Sequence, residues 1–135
     1  MKTWISTLTV RSYELDSFGH VNNGTFAKYL EKARGDYLIE AGVHLDDFHK
    51  WEKYPVIAKV CIEYRSPAFF NDKLTINAQV SRLGMSSLTL KYKIIKTDNT
   101  LCATAETIMV FVDKKGKSTP MPKIMREAFG EKERT

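Results

Sequence analysis

The chain has 135 residues, enough to bury one hydrophobic core and too few for two ordinary domains. With 43% hydrophobic and 27% charged residues it is neither disordered nor fibrous, and no apolar run approaches the roughly 20 residues of a membrane span. The N-terminal stretch lacks the apolar segment of a signal peptide, so one cytoplasmic domain over residues 1–135 is expected. A net charge of +5 admits nucleic acid, a membrane surface or an anionic small ligand as partner, besides a solvated basic surface.

In chain order, the alternation from Ile5 to Arg11 predicts a short strand. Between Asn23 and Ala41, the residues Phe26, Tyr29, Leu30, Ala33, Tyr37 and Ala41 fall at helical spacing, and Gly42 supplies a stop. Asn22 or Asn23 caps this long helix; with Asn22 as cap, Val21 and Phe26 form a hydrophobic staple. The polar stretch from Val43 to Tyr54 predicts a loop or short helical turn, ended by Pro55.

Four strands are predicted next, joined by hairpin-length turns. Val56, Ala58, Val60, Ile62 and Tyr64 share one face of the first, Leu74, Ile76, Ala78 and Val80 one face of the second, and Leu88, Leu90, Tyr92 and Ile94 one face of the third. The fourth, from Leu101 to Val112, is apolar on both faces toward its end, as a central strand would be. A short helix over Met121 to Phe129 closes the chain. Cys61 and Cys102 read as small buried hydrophobes within strands. The class is α+β, a helix on one face of a five-stranded antiparallel sheet, and sheet surface left uncovered favours self-association.

Chemistry concentrates in YELDSFGHVNN, residues 13–23. Asp16 has two readings: an Asx-turn in a glycine loop, or a carboxylate poised near the unpaired N–H groups of a helix start, where it could attack a carbonyl or activate water. His20 is either a hydrogen-bonding anchor or a base, and Asn22 and Asn23 are caps that could also orient a substrate. No His, Cys, Asp and Glu spacing matches a metal site, and the GxSxG, P-loop and GxGxxG motifs do not occur. Lys59, Arg65, Arg82, Lys91 and Lys93 could form a cationic rim for phosphates, or a solvated strand face. Aromatic-basic stacking motifs do not occur either, which argues against nucleic acid.

VRSYELDSFGHVNNGTFAKYLEKAR followed by VCIEYRSPAFFNDKLTI resembles the hotdog-fold acyl-CoA thioesterases of the 4-hydroxybenzoyl-CoA type, and GHVNN is also similar to acyl-ACP thioesterases. The resemblance spans nearly the whole chain. It is carried by Asp-x-x-Gly-x-Val at Asp16, Gly19 and Val21, and by I-x-Y-x-x-P-A-x-x-x-D-x-L at Ile62, Tyr64, Pro67, Ala68, Asp72 and Leu74. It implies a five-stranded antiparallel sheet wrapped around one long helix, paired into homodimers or homotetramers, with no cofactor and with acyl-CoA or acyl-ACP as substrate. It further implies Asp16 as the catalytic carboxylate and Asn23 as the backbone donor to the thioester oxygen, with Gly19, His20, Val21 and Asn22 around the substrate. Some relatives carry a further carboxylate, whose place here is Glu14. The rivals are a hydratase with His20 as base and a module that binds acyl thioesters without turning them over.

Overall fold

The computed structural model describes residues 2–130. Strand β1 (Trp4–Thr9) leads through a 3-10 turn at Ser12–Glu14 into helix α1 (Asn23–Glu40). A short helix α2 (Leu45–Trp51), four strands, β2 (Tyr54–Tyr64), β3 (Lys73–Leu83), β4 (Ser87–Lys96) and β5 (Leu101–Val112), and helix α3 (Lys123–Gly130) complete the order. One antiparallel sheet runs β1-β3-β4-β5-β2.

Helix α1 starts and stops where the chain's chemistry directs. Asn22, in an extended conformation, accepts the Gly24 N–H on its side chain at 2.9 Å, and Gly42 adopts φ +84 after the last turn. Phe26, Tyr29, Leu30, Ala33 and Tyr37 are buried against the sheet, each large side chain contributing about 1.5–3 kcal/mol. Tyr37 Oη donates to the Ile76 carbonyl at 2.7 Å, pinning the helix to β3. Along its other flank, Lys32 and the Ser6 hydroxyl both donate to Asp36, which ties α1 to β1. On the facing side of β3 and β4, the expected inward residues Leu74, Ile76, Ala78, Leu88, Leu90, Tyr92 and Ile94 are buried, and Val80 is partly buried.

Four expectations need correction. The sheet is covered by more than one long helix: α2 is anchored by Phe48 against Phe111, and α3 by Phe129 stacked on Trp4 at 4.5 Å. The short helix expected over Met121 to Phe129 forms as α3, and the loop or helical turn expected from Val43 to Tyr54 contains α2, so the correction concerns only the number of helices that cover the sheet. Second, β2 and β3 do not form a hairpin. β2 pairs with β5 at one edge while β3 lies across the sheet beside β1 and β4, so residues 65–72 cross from one edge region to the other.

Third, β2 does not bury its apolar face. A bulge between Ile57 and Lys59 breaks its alternation, and Pro55 is tolerated because this is an edge. Ile57, Val60 and Tyr64 lie opposite Met109, Thr107 and Ala103, all buried, so they face the helix side, yet they are 38%, 46% and 47% exposed. Helices α1 and α2 reach β2 only in part, at Tyr64 and Tyr54, and leave much of this edge strand open. Fourth, Cys61 is exposed because it alternates with Val60 onto the open sheet face away from α1, beside Lys59 and Glu63, whereas Cys102 is buried. Among the described residues no helix is long and apolar enough to cross a membrane.

Candidate active site

The segment before α1 is a small hairpin. The Asp16 N–H donates to the His20 carbonyl at 2.7 Å, Leu15 bridges Val21, and the Asn22 N–H donates to the Glu14 carbonyl at 2.9 Å. Gly19 permits the reversal with φ +81, a conformation that other residues adopt only under strain. The hairpin docks on the turn at residues 67–72: Val21 N–H donates to Ala68, His20 bridges Phe69, and Asn71 takes φ 66.

Asp16 is half-buried at the hairpin tip. Its Oδ1 accepts the Phe18 N–H at 2.9 Å and the His20 N–H at 3.1 Å, so the Asx-turn expected of this residue is present. Among the described residues Oδ2 has no partner. The carboxylate is therefore fixed by one oxygen and open at the other.

The mouth of α1 has the complementary character. Gly24 N–H is taken by the Asn22 side chain and Thr25 N–H by the Asn22 carbonyl, while the Asn23 N–H has no acceptor within the described residues. About 10 Å of extended chain separates His20 from Asn23.

The remaining candidates serve mainly as scaffold. Val21 is buried with its amide bonded to Ala68, and Asn22 is occupied as cap. The His20 ring packs edge-on against Phe69 at 5.2 Å, and its only bonds to Asp16 run through the backbone. Glu14 lies in the 3-10 turn and not on a strand; its Oε1 accepts the Arg11 N–H at 2.7 Å and the Tyr29 hydroxyl at 3.0 Å. Burial, and secondly Glu14, push the Tyr29 phenol up, so it stays a donor at neutral pH.

Sequence reasoning missed Tyr64 as a member of the site. Its hydroxyl donates to the Asn23 carbonyl at 2.9 Å and its ring meets Phe26 edge-on at 5.3 Å. The only local signal is its place in the I-x-Y-x-x-P-A stretch, because the two residues lie 41 positions apart in the chain.

The lysines of the expected cationic rim lie elsewhere. Lys59, Lys91 and Lys93, with Glu63, Asn77 and Glu106, line a cavity of about 690 Å³ on the sheet face away from α1, where Lys59 pairs with Glu106 at 3.3 Å. Arg65 and Arg82 are not part of it. Among the described residues no group of His, Cys, Asp and Glu could hold a metal ion.

The fold has counterparts among known proteins. The chain is 32% identical over 113 residues to the long-chain acyl-CoA thioesterase FadM of Escherichia coli, covering 80% of this chain and 82% of that one. It is 29% identical over 123 residues to a chloroplastic acyl-acyl carrier protein thioesterase of Arabidopsis thaliana, covering 90% of this chain but only 65% of the plant protein. The crystal structure of a 1,4-dihydroxy-2-naphthoyl-CoA thioesterase from Synechocystis superposes with a TM-score of 0.90 at 20% identity, over 96% of this chain and 97% of that one, so the two share the hotdog fold. Residues 10–129 match the model of the thioesterase-like superfamily, and the chain belongs to that family.

Proposed function

We propose that the protein hydrolyses acyl-CoA thioesters to a free acid and CoA. The observation that carries this reading is the pairing of a carboxylate open at Oδ2 with an open helix-start amide at Asn23, joined by a rigid hairpin. A thioester carbonyl accepting the Asn23 N–H gains negative charge on its oxygen in the transition state, and the helix N-terminus stabilises that charge. One such donor is worth about 2.7–4 kcal/mol where it has been removed from other enzymes. Asp16 then either attacks the carbonyl carbon, giving an anhydride that water cleaves, or takes a proton from the attacking water; in both routes the thiolate of CoA leaves.

The acyl-CoA activity named for FadM favours CoA as the carrier, and the plant relative makes acyl-ACP the second. A base role for His20 has less support, because its ring packs on Phe69 and makes no hydrogen bond to Asp16. The open edge of β2, with Ile57, Val60 and Tyr64 uncovered, supports pairing with a second copy along that strand.

Incubation of the purified protein with acyl-CoAs of graded chain length and with aromatic acyl-CoAs, read with a thiol reagent, tests the reaction. Release of free CoA from at least one class well above the uncatalysed rate is expected. Tight binding of the same compounds with no thiol release would mark a binding module and overturn the proposal.

A further inference from the structure

We infer that Tyr64 is a positioning residue for this reaction: its hydroxyl holds the first turn of α1 so that the open Asn23 amide keeps its aim at the substrate carbonyl. The inference rests on the hydrolase reading of Asp16 and Asn23.

Tyr64 ends the edge strand β2, and nothing in its packing requires a hydroxyl. Phe26, which its ring meets edge-on at 5.3 Å, is already buried, and phenylalanine would make that contact equally well. The hydroxyl instead reaches across to the Asn23 carbonyl at 2.9 Å. That carbonyl and the Gly24 N–H belong to one peptide unit, and the Gly24 N–H is held by the Asn22 side chain at 2.9 Å. The peptide is thus gripped at both ends, by Tyr64 from the sheet and by Asn22 from the chain before it.

The neighbouring unit, Asn22 to Asn23, carries the open N–H, and its carbonyl is fixed by Thr25 N–H at 2.9 Å. Helix first turns otherwise fray, because their amides lack partners within the helix. Rotation of the gripped peptide would swing the adjacent donor, and a displacement of about 1 Å at a reacting group costs on the order of a hundredfold in rate. Tyr64 also links the helix mouth to the edge strand β2, so the donor is referenced to the sheet.

Tyr64→Phe removes the hydroxyl and keeps the ring. Expected are a fall in kcat of about tenfold, KM within about twofold of the parent, an unchanged melting temperature, and displaced or broadened amide resonances of Asn23 and Gly24 in the substrate-free protein. Rescue of kcat is not expected from Tyr64→Leu, which should lose stability as well. A variant with kcat within twofold of the parent, unmoved Asn23 and Gly24 resonances, or a loss of kcat that only follows a loss of stability would each overturn the inference. A parent protein that releases no thiol contradicts the hydrolase reading and this role with it, whereas an active parent with an unaffected Tyr64→Phe variant contradicts the role alone.

Discussion

Asp16 combines a structural and a chemical capacity in one side chain. Oδ1 closes the turn by accepting two backbone N–H groups, and this fixes the direction of the free Oδ2 without a second side chain to hold it. The preorganisation is local, and for that reason much of it was legible: Asp16, Gly19 and Asn22 announce a turn and a cap by residue type alone. Glu14 and Tyr64 were not legible in their roles. Their partners, Tyr29 and Asn23, stand 15 and 41 positions away, and no spacing rule relates them. Cys61 was misjudged because its strand pattern resembles a buried one, while the sheet face onto which it points carries no helix.

Among the elements, α1 determines the position of the site, and its attachment to β1 is testable through Asp36. Burial works to raise the Asp36 carboxyl, but hydrogen bonds from Lys32 and Ser6 and the Lys32 charge outweigh it and hold the group below its usual range. A carboxylate whose folded value is lowered stabilises the fold in full above its unfolded value, near about 3.9, and loses that contribution as the pH drops through the folded value. Asp36→Asn should therefore lower the unfolding free energy at pH 7 by about 0.5–1 kcal/mol, a modest figure because the pair is more than a third exposed. The difference from the parent in urea unfolding should shrink as the pH is taken below about 4. An equal difference at pH 7 and pH 3 would contradict this account of the clamp. Periodicity revealed α1 and the inward faces of β3 and β4 because these elements are long and covered on one side; α3 was legible as the short closing helix, α2 only as a loop or helical turn, and the bulge in β2 destroys its own pattern.

For the molecule as a whole, the open problem of the fold is the edge. An 11-residue edge strand with apolar residues uncovered on its helix-facing side is a template for pairing, and a second copy in antiparallel register would cover it. Val60→Lys places a charge in that contact; light scattering is expected to give an even multiple of the 15.5 kDa chain mass for the parent and a smaller species for the variant, whereas a monomeric parent would contradict the pairing. The strand order behind this edge was not legible, because local patterns report which residues face a core and not which strands are neighbours. β2 and β3 read as a hairpin until their pairing partners are known. The central claim concerns the charge at Asp16, and one substitution isolates it. Asparagine keeps an Oδ1 that can accept the Phe18 and His20 N–H groups, so Asp16→Asn preserves the turn and removes the carboxylate. Measured by thiol release under saturating acyl-CoA, with the melting temperature as control, the variant is predicted to lose at least about a hundredfold in kcat while remaining folded. A folded variant within about tenfold of the parent, a difference of only about 1.4 kcal/mol, would show that position 16 does no more than make a turn.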